Sequence, residues 1–232
     1  MICHELKCVF VHIPKVAGTS IEKAFLQHLK ILREDGAQLL IQKNADPLKG
    51  PPHLQHMTAE EYLKYGYLTQ EQFDSYFKFT FVRDPYERIV SEYRYRRFYN
   101  EYDFKSYLTK NFPGPMDDDY VNYLDYYRHI MPQSDFIYNE KGELLVDFIG
   151  RFENIEDDFK KICEHLQVKL ELPKSNKSKN KKSLFLRLKK IFNKNLMYSY
   201  SHDQYYCDDT LSFMKDYYKK DFEMLNYHFR QT

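Results

Sequence analysis

This chain of 232 residues has no tryptophan, only seven glycines, and no stretch rich in glycine and serine or in proline. Without such a stretch, nothing marks a linker between domains, so we predict one domain over residues 1–232. No apolar run approaches the eighteen or so residues of a membrane span, and no signal peptide precedes the first apolar run. The sequence therefore predicts a globular protein without a transmembrane segment.

Cysteine spacing excludes further classes of protein. The four cysteines, Cys3, Cys8, Cys163 and Cys207, show no C-x-x-C spacing and no neighbouring histidine pattern. Zinc sites and disulfide frameworks usually show such spacing. The pattern predicts reduced thiols and no metal site.

What the sequence does contain is an apolar run that stops at Pro14 and leads through small residues into an amphipathic stretch. The pattern predicts a strand over 8–13 and a helix over 20–33, opened by a capping box of Thr19 and Glu22. The backbone N–H groups of residues 17–20 would then be unpaired at the carboxyl end of the strand, where the helix dipole favours an anion.

Two residues of this loop add to the prediction of a phosphate-binding site. Gly18 allows close approach of the backbone, and Lys15 supplies a mobile positive charge. The nucleoside-triphosphate P-loop has the pattern G-x-x-x-x-G-K-[ST], with its lysine after the second glycine. Here the lysine precedes the glycine, and no acidic strand end suited to magnesium is obvious, which favours chemistry without a metal.

A second apolar run, predicted as a strand over 78–82, also leads straight into a helix, predicted over 85–99. Asp84 followed by Glu87 three residues later is a helix-start signature, and proline suits the first helical position. Arg83 therefore lies at the carboxyl end of a strand, where ligands collect in open α/β sheets. With Ser91 two turns along the helix, it could hold a second phosphate.

Together the two segments resemble the sulfotransferases that use 3'-phosphoadenosine 5'-phosphosulfate (PAPS), in particular the carbohydrate-directed group with the heparan sulfate 2-O- and 6-O-sulfotransferases and the chondroitin enzymes. Further matches lie at 148–159, 172–179 and 218–222. The resemblance implies an α/β fold in three layers with a central parallel sheet, related to the P-loop nucleotide kinases. It also implies PAPS as donor, adenosine 3',5'-bisphosphate (PAP) as product, and a carbohydrate or polysaccharide acceptor.

By the same resemblance, the loop after the first strand binds the 5'-phosphosulfate end, Arg83 and Ser91 bind the 3'-phosphate, and a later loop closes over the nucleotide. The implied cofactor-binding residues are Lys15, Ala17, Gly18, Thr19, Ser20, Arg83, Ser91, Asn176, Lys177 and Lys179.

In-line sulfuryl transfer also needs a base for the acceptor and a cation for the departing phosphate oxygen. Lys15 is the candidate cation. In the resembling family the catalytic histidine precedes a helix in the polar stretch before the Arg83 strand, which favours His56 and leaves His53 as a close rival. Glu60 and Glu61 are the next candidates.

The formal net charge of +1 conceals a basic segment, since residues 174–194 carry nine lysines and arginines and no acidic residue. Such a segment attracts anions or is a solvated loop. Helical spacing of apolar residues within it predicts a helix that docks on the domain, with contact of 183–194 with a membrane surface as a lesser alternative.

Partners and location follow as expectations. No nucleic-acid partner is expected. The resembling animal enzymes carry an N-terminal anchor in the Golgi, and its absence here predicts a cytoplasmic enzyme, or a Golgi-lumen enzyme if the sequence is part of a longer chain. Two other functions remain open: a non-catalytic binder of anionic glycans on the same fold, and a nucleotide or small-molecule kinase.

The remaining pattern is read as alternating elements. It predicts helices near 58–64, 69–73, 155–166 and 210–226, and strands over 136–138 and 144–151 around a turn at residues 139–142.

Overall fold

A computed structural model describes residues 1–173 and 205–230. Its sheet contains the strands β1 (Ile2–Cys3), β2 (Cys8–Val11), β3 (Phe77–Val82) and β4 (Phe148–Arg151), in that order across the sheet. Strands β2, β3 and β4 are parallel, whereas β1 pairs antiparallel with β2. The predicted α/β fold with a central parallel sheet is confirmed, with the correction that its edge strand is antiparallel.

Helices connect and flank the strands. They are α1 (Gly18–His28), α2 (Ala59–Lys64), α3 (Gln70–Ser75), α4 (Pro85–Arg96), α5 (Phe104–Lys110), α6 (Tyr126–Ile130), α7 (Ser134–Ile137), α8 (Ile155–His165), α9 (Asp208–Tyr217) and α10 (Lys219–Met224). Short 3-10 turns include Leu54–His56 and Phe152–Asn154. Among the described residues, no helix is both long enough and apolar enough to cross a bilayer.

The central strands β2 and β3 are buried over nearly their whole length, as expected for parallel strands covered on both faces. Their polar exceptions are paired: Thr80 donates from its hydroxyl to the Val11 carbonyl, and the Lys78 ammonium donates to the carbonyls of Phe73 and Tyr76. The register aligns Val11 with Thr80. The loops that follow β2 and β3 therefore leave the sheet side by side.

The helix starts show where the local signals decide the structure. Thr58 and Thr69 form capping boxes at α2 and α3. As predicted, Asp84 accepts a hydrogen bond from the Glu87 amide, at 2.9 Å. The prediction of a capping box of Thr19 and Glu22 at α1 is wrong. Its cap is Ala17, in the left-handed region, and Glu22 instead pairs with His12.

Three element predictions fail further along the chain. Residues 136–138 are not a strand, because Ser134–Ile137 forms α7, where buried Asp221 accepts from the amides of Gln133 and Ser134. The later strand is confined to Phe148–Arg151. The terminal helix is interrupted at Tyr218, whose hydroxyl donates to the Ile130 carbonyl.

Two apolar clusters fill the interior. One surrounds the sheet, and the other lies among α4, α5, α9 and α10. The second is built largely from aromatic rings, with Tyr93, Phe104 and Tyr107 in mutual contact. Tyrosine thus supplies much of the aromatic packing in a chain that has no tryptophan.

Candidate active site

A cleft of about 500 Å³ opens where the loops after β2 and β3 leave the sheet. It is lined by His12, Pro14, Lys15, Ala17, Gly18, Thr19, Arg33, His53, Gln55, His56, Arg83, Ser91, Tyr95, Arg96, Tyr123, Leu124, His129 and Phe152. Eight of the residues singled out in the sequence therefore meet in one place. Ser20 is not among the lining residues, and Asn176, Lys177 and Lys179 lie outside the described residues, as does the basic segment.

The loop before α1 presents backbone donors to the cleft. Within the described part of the chain, the amides of Ala17, Gly18 and Thr19 donate to no protein acceptor, whereas the Ser20 amide bonds to the Ala17 carbonyl at 2.9 Å. The unpaired amides are therefore those of residues 17–19, one fewer than the sequence predicts. Unpaired amides at a helix N-terminus form an anion-binding arrangement.

The guanidinium of Arg88 holds the loop before α1 in place through hydrogen bonds to backbone carbonyls. Arg88 is 2% exposed and donates to the carbonyls of Pro14, His129 and Met131 at 2.9–3.1 Å. Its charge is thus committed to backbone acceptors. Arg88 ties the loop before α1 to the segment around α6.

Gly18 is required by its contact with His12. A Cβ at position 18 would lie 1.9 Å from His12 Nε2. The ring cannot easily move, since His12 Nδ1 contacts Glu22 Oε1 at 2.6 Å and the ring stacks on Phe10. The close approach anticipated at this glycine is thus made to a buried histidine.

Lys15 lies in the cleft in the left-handed region of the backbone, with φ of 73°. Its ammonium is 3.7 Å from the centre of the Tyr95 ring. Burial lowers the pKa of Lys15 to about 8; Glu92 opposes this change, while Arg83 and other nearby arginines add to it. The lysine is still largely protonated at neutral pH.

Arg83 is held by a two-point contact with Gln133. The Arg83 amide donates to Gln133 Oε1, and Gln133 Nε2 donates to the Arg83 carbonyl, both at 2.8 Å. The guanidinium lies over the Phe152 ring at 4.3 Å and contacts the Lys15 carbonyl at 3.4 Å. Its buried Nε has no hydrogen-bond partner among the described residues. A buried donor without a partner is costly, which suits a site that receives an anion.

His56 and His53 share one carboxylate. Asp125 Oδ2 contacts Nδ1 of His56 at 2.5 Å and Nδ1 of His53 at 3.2 Å. Burial lowers the pKa of His56 to about 3, although Asp125 acts in the opposite direction. Burial alone would raise the pKa of Asp125, but the two histidines hold it well below its usual range. The pair is therefore a neutral imidazole beside an ionised carboxylate.

This pairing fixes the orientation of His56. Because Nδ1–H donates to Asp125, Nε2 is the unprotonated nitrogen and can accept a proton. His53 is the more exposed of the two, with 27% of its side chain accessible against 9% for His56.

The acidic alternatives are differently placed. Glu61 accepts hydrogen bonds from the two terminal guanidinium nitrogens of Arg128, at 2.8 and 3.0 Å, and from the Thr58 amide. Glu60 is exposed on α2, and neither carboxylate lines the cleft.

A second histidine and carboxylate pair is absent from the sequence prediction. His129 Nδ1 contacts Glu92 Oε2 at 2.9 Å, and Glu92 also accepts from Arg96 at 2.8 Å. Burial opposes ionisation of Glu92, but His129 and Arg96 lower its pKa to about 2. Spacing on α4 could have identified part of this set, because Glu92 and Arg96 repeat four residues apart.

His53, His56 and Asp125 also bring their ligand atoms within 4.8 Å of one another, so they could hold a metal ion. The geometry is equally that of a carboxylate that orients two imidazoles.

The sequence profile of a family described as the sulfotransferase family matches residues 1–228. Among relatives, the chain is 24% identical to carbohydrate sulfotransferase 14 of Mus musculus over 186 residues, which cover 72% of this chain and 46% of that protein. It is 34% identical to carbohydrate sulfotransferase 11 of Rattus norvegicus over 112 residues, 46% of this chain and 28% of that protein. The chain thus spans less than half of the length of either relative.

An uncharacterized protein of Archaeoglobus fulgidus is 32% identical over 103 residues, which cover 43% of this chain and 75% of that protein. No solved structure gives a significant match. The family profile agrees with the resemblance carried by the two strand-loop-helix segments. Because its match covers nearly the whole chain, this protein belongs to the sulfotransferase family.

Proposed function

We propose that this protein transfers a sulfuryl group from PAPS to a hydroxyl, or less favourably an amine, of a carbohydrate acceptor. The observation that carries the proposal is the convergence in one cleft of unpaired amides, two cations from adjacent strand ends, and a histidine oriented by a buried aspartate. Anion binding and proton removal are the two tasks that this reaction sets.

The residues present fit a donor with phosphates at two positions. Within residues 1–173 and 205–230, the amides of residues 17–19 have no acceptor, and the buried Arg83 Nε has no hydrogen-bond partner. In the proposal, the loop after β2 and Lys15 hold the 5'-phosphosulfate end, while Arg83 and Ser91 hold the 3'-phosphate. When bound, PAPS would supply the sulfuryl group and leave as PAP, with the negative charge on its 5'-phosphate. Asn176, Lys177 and Lys179 remain proposed nucleotide contacts by family resemblance.

His56 is the proposed base. Its Nε2 would accept the proton of the acceptor hydroxyl, since Nδ1 is hydrogen-bonded to Asp125. As the imidazole becomes charged, the ionised carboxylate stabilises it, the role that an aspartate has in other histidine–aspartate pairs. His53 contacts the same oxygen at longer range and is the rival for this role.

Lys15 is the proposed cation for the leaving oxygen. Negative charge develops on that oxygen only as the bond to sulfur breaks, so a fixed ammonium lowers the barrier more than it strengthens ground-state binding. Burial makes this interaction stronger than it would be in water.

A hydroxylated acceptor is supported by polar and aromatic groups that the donor roles leave over. Among the described residues, the buried Gln55 side-chain oxygen has no hydrogen-bond partner, and both Gln55 and Tyr123 line the cleft. Sugars offer hydroxyl donors together with apolar ring faces that suit tyrosine. The two sulfotransferase relatives described above carry the word carbohydrate in their names.

Calorimetry with PAP and adenosine 5'-phosphate, both with a chelator present, tests the donor assignment. We expect Arg83→Ala to weaken PAP binding by about 10-fold to 100-fold, because a charge-assisted contact contributes about 1.5–3 kcal/mol. The affinity for adenosine 5'-phosphate should stay nearly unchanged. Ser91→Ala should show the same selectivity with a smaller loss. Arg97→Ala is the matched control, since Arg97 is exposed and does not line the cleft.

Equal losses for the two nucleotides would refute the 3'-phosphate assignment. Tight, magnesium-dependent binding of ATP instead of PAP would favour a kinase. PAP binding without sulfate transfer to any glycan in a broad panel would favour a non-catalytic binder.

A further inference from the structure

We infer that Tyr95 is a positioning residue for Lys15: the face of its ring holds the Lys15 ammonium in the cleft and favours its charged form. The inference rests on the proposed role of Lys15 at the leaving oxygen. It assigns a function to a residue that neither the sequence motifs nor the family resemblance singles out.

Lys15 lies in surroundings that disfavour a cation. Arg83, Arg88 and Arg96 all act on it as like charges, and Glu92 is the carboxylate that acts in the opposite direction. In residues 1–173 and 205–230, no carboxylate forms an ion pair with Lys15. A further attractive contact would therefore stabilise its charged form.

The Tyr95 ring supplies that contact. The ammonium lies 3.7 Å from the ring centre, well inside the range of about 6 Å within which the negative face of an aromatic ring attracts a cation. The interaction is stronger where water is partly excluded, as it is around Lys15. A ring-to-cation contact also needs no carboxylate, which would compete with an incoming anion.

Core packing does not explain the presence of an aromatic residue at position 95. Tyr95 is 61% exposed, unlike its neighbour Tyr93, which is 3% exposed in the aromatic cluster. Within the described chain, the Tyr95 hydroxyl makes no hydrogen bond. The contacts that it does make are with groups of the cleft.

Those contacts hold the ring in place. Tyr95 is four residues after Ser91 on α4, so both project from the same face of the helix into the cleft. Its ring lies parallel to that of His129, at 5.9 Å and 25°, and His129 is itself bonded to Glu92. Tyr95 therefore links Lys15 to the buried histidine and carboxylate pair beneath the cleft.

The test compares Tyr95→Phe, which keeps the ring face, with Tyr95→Leu, which keeps apolar bulk but has no ring face. The first readout is the pH dependence of Lys15 acetylation by limiting acetic anhydride, read by mass spectrometry. The second readout compares the change in turnover with the change in PAP affinity for each variant. Tyr126→Leu is the control, because Tyr126 contacts Arg96 and is not among the residues lining the cleft.

We expect Tyr95→Leu to move the Lys15 labelling curve to lower pH and to reduce turnover by about 3-fold to 30-fold, with PAP affinity changed by less than about 3-fold. Tyr95→Phe should retain the parental labelling curve and turnover. A Lys15 labelling curve that is the same in Tyr95→Leu and the parent protein overturns the inference, as does equal loss of turnover in Tyr95→Phe.

The labelling readout separates this inference from the proposed function. A shifted curve in Tyr95→Leu supports the contact whether or not any glycan tested accepts sulfate. Failure of the parent protein to transfer sulfate would count against the proposed function alone.

Discussion

Replacing Asp125 by asparagine tests the pairing on which the proposed base depends. The substitution keeps the shape of the side chain and removes its charge. Asp125 Oδ2 contacts His56 Nδ1 at 2.5 Å and His53 Nδ1 at 3.2 Å, so both candidate bases lose the same partner at once. Any effect on proton transfer then reports on the carboxylate and not on loss of an imidazole.

The expected magnitude follows from the kind of contact that is lost. A hydrogen bond to a charged group contributes about 1.5–3 kcal/mol and a neutral one about 0.5–1.5 kcal/mol, so loss of the charge typically costs about 1 kcal/mol, or roughly 5-fold in rate. Asparagine can also donate to Nδ1, which places the proton on Nε2 and removes the base. We therefore expect a fall in turnover between about 5-fold and 1,000-fold.

Single-turnover release of PAP at saturating PAPS, with an acceptor on which the parent protein is active, measures this effect. His56→Ala should be slower still, by about 100-fold to 10,000-fold. His53→Ala should have a smaller effect, with nucleotide binding intact. Folding of each variant is checked by thermal unfolding.

Parental turnover in Asp125→Asn would refute the reasoning. An active His56→Ala beside an inactive His53→Ala would transfer the role of base to His53. If both histidine variants remain active, neither imidazole is the base.

Three further predictions concern the loop before α1 and its support. Because burial lowers the pKa of Lys15 to about 8, the rate should fall as the pH rises through about 8, and the residual activity of Lys15→Arg should lack this limb; persistence of the limb would assign it to another group. Gly18→Ala should lower the unfolding temperature and PAP affinity, since its Cβ would lie 1.9 Å from His12 Nε2; parental values for both would contradict this packing. Asp221→Ala should cost about 3 kcal/mol or more in urea unfolding, because it leaves the amides of Gln133 and Ser134 without their acceptor, and a loss below about 1 kcal/mol would show that these donors find other partners.

The features that the sequence predicts well are those set by neighbouring residues. The apolar runs that become β2 and β3, and the cap at Asp84, depend on contacts within a few positions. The junctions after β2 and β3 therefore bring Lys15 and Arg83 to one cleft, as predicted.

Long-range contacts decide the features that the sequence misses. Ser134–Ile137 is helical because Asp221, from α10, accepts the amides at its start. Glu22 pairs with His12 on the preceding strand instead of capping α1. No local pattern indicates either pairing, since each polar side chain pairs with a group outside its own segment of the chain.

The same limit applies to the cleft. Asp125 is 69 residues from His56, and His129 is 37 residues from Glu92, so their pairing is invisible to local spacing. Tyr95 is closer to being predictable, since it follows Ser91 by one helical turn. Its contact with Lys15 nevertheless depends on how α4 packs beside the loop after β2.

Transfer of radiolabelled sulfate from PAPS to a panel of glycans tests the central claim most directly. The account predicts label on at least one carbohydrate with the parent protein, in the presence of a chelator, and loss of most of that label in Lys15→Ala and His56→Ala while both variants still bind PAP. Absence of label on every glycan, or transfer that both variants perform at the parental rate, would contradict it.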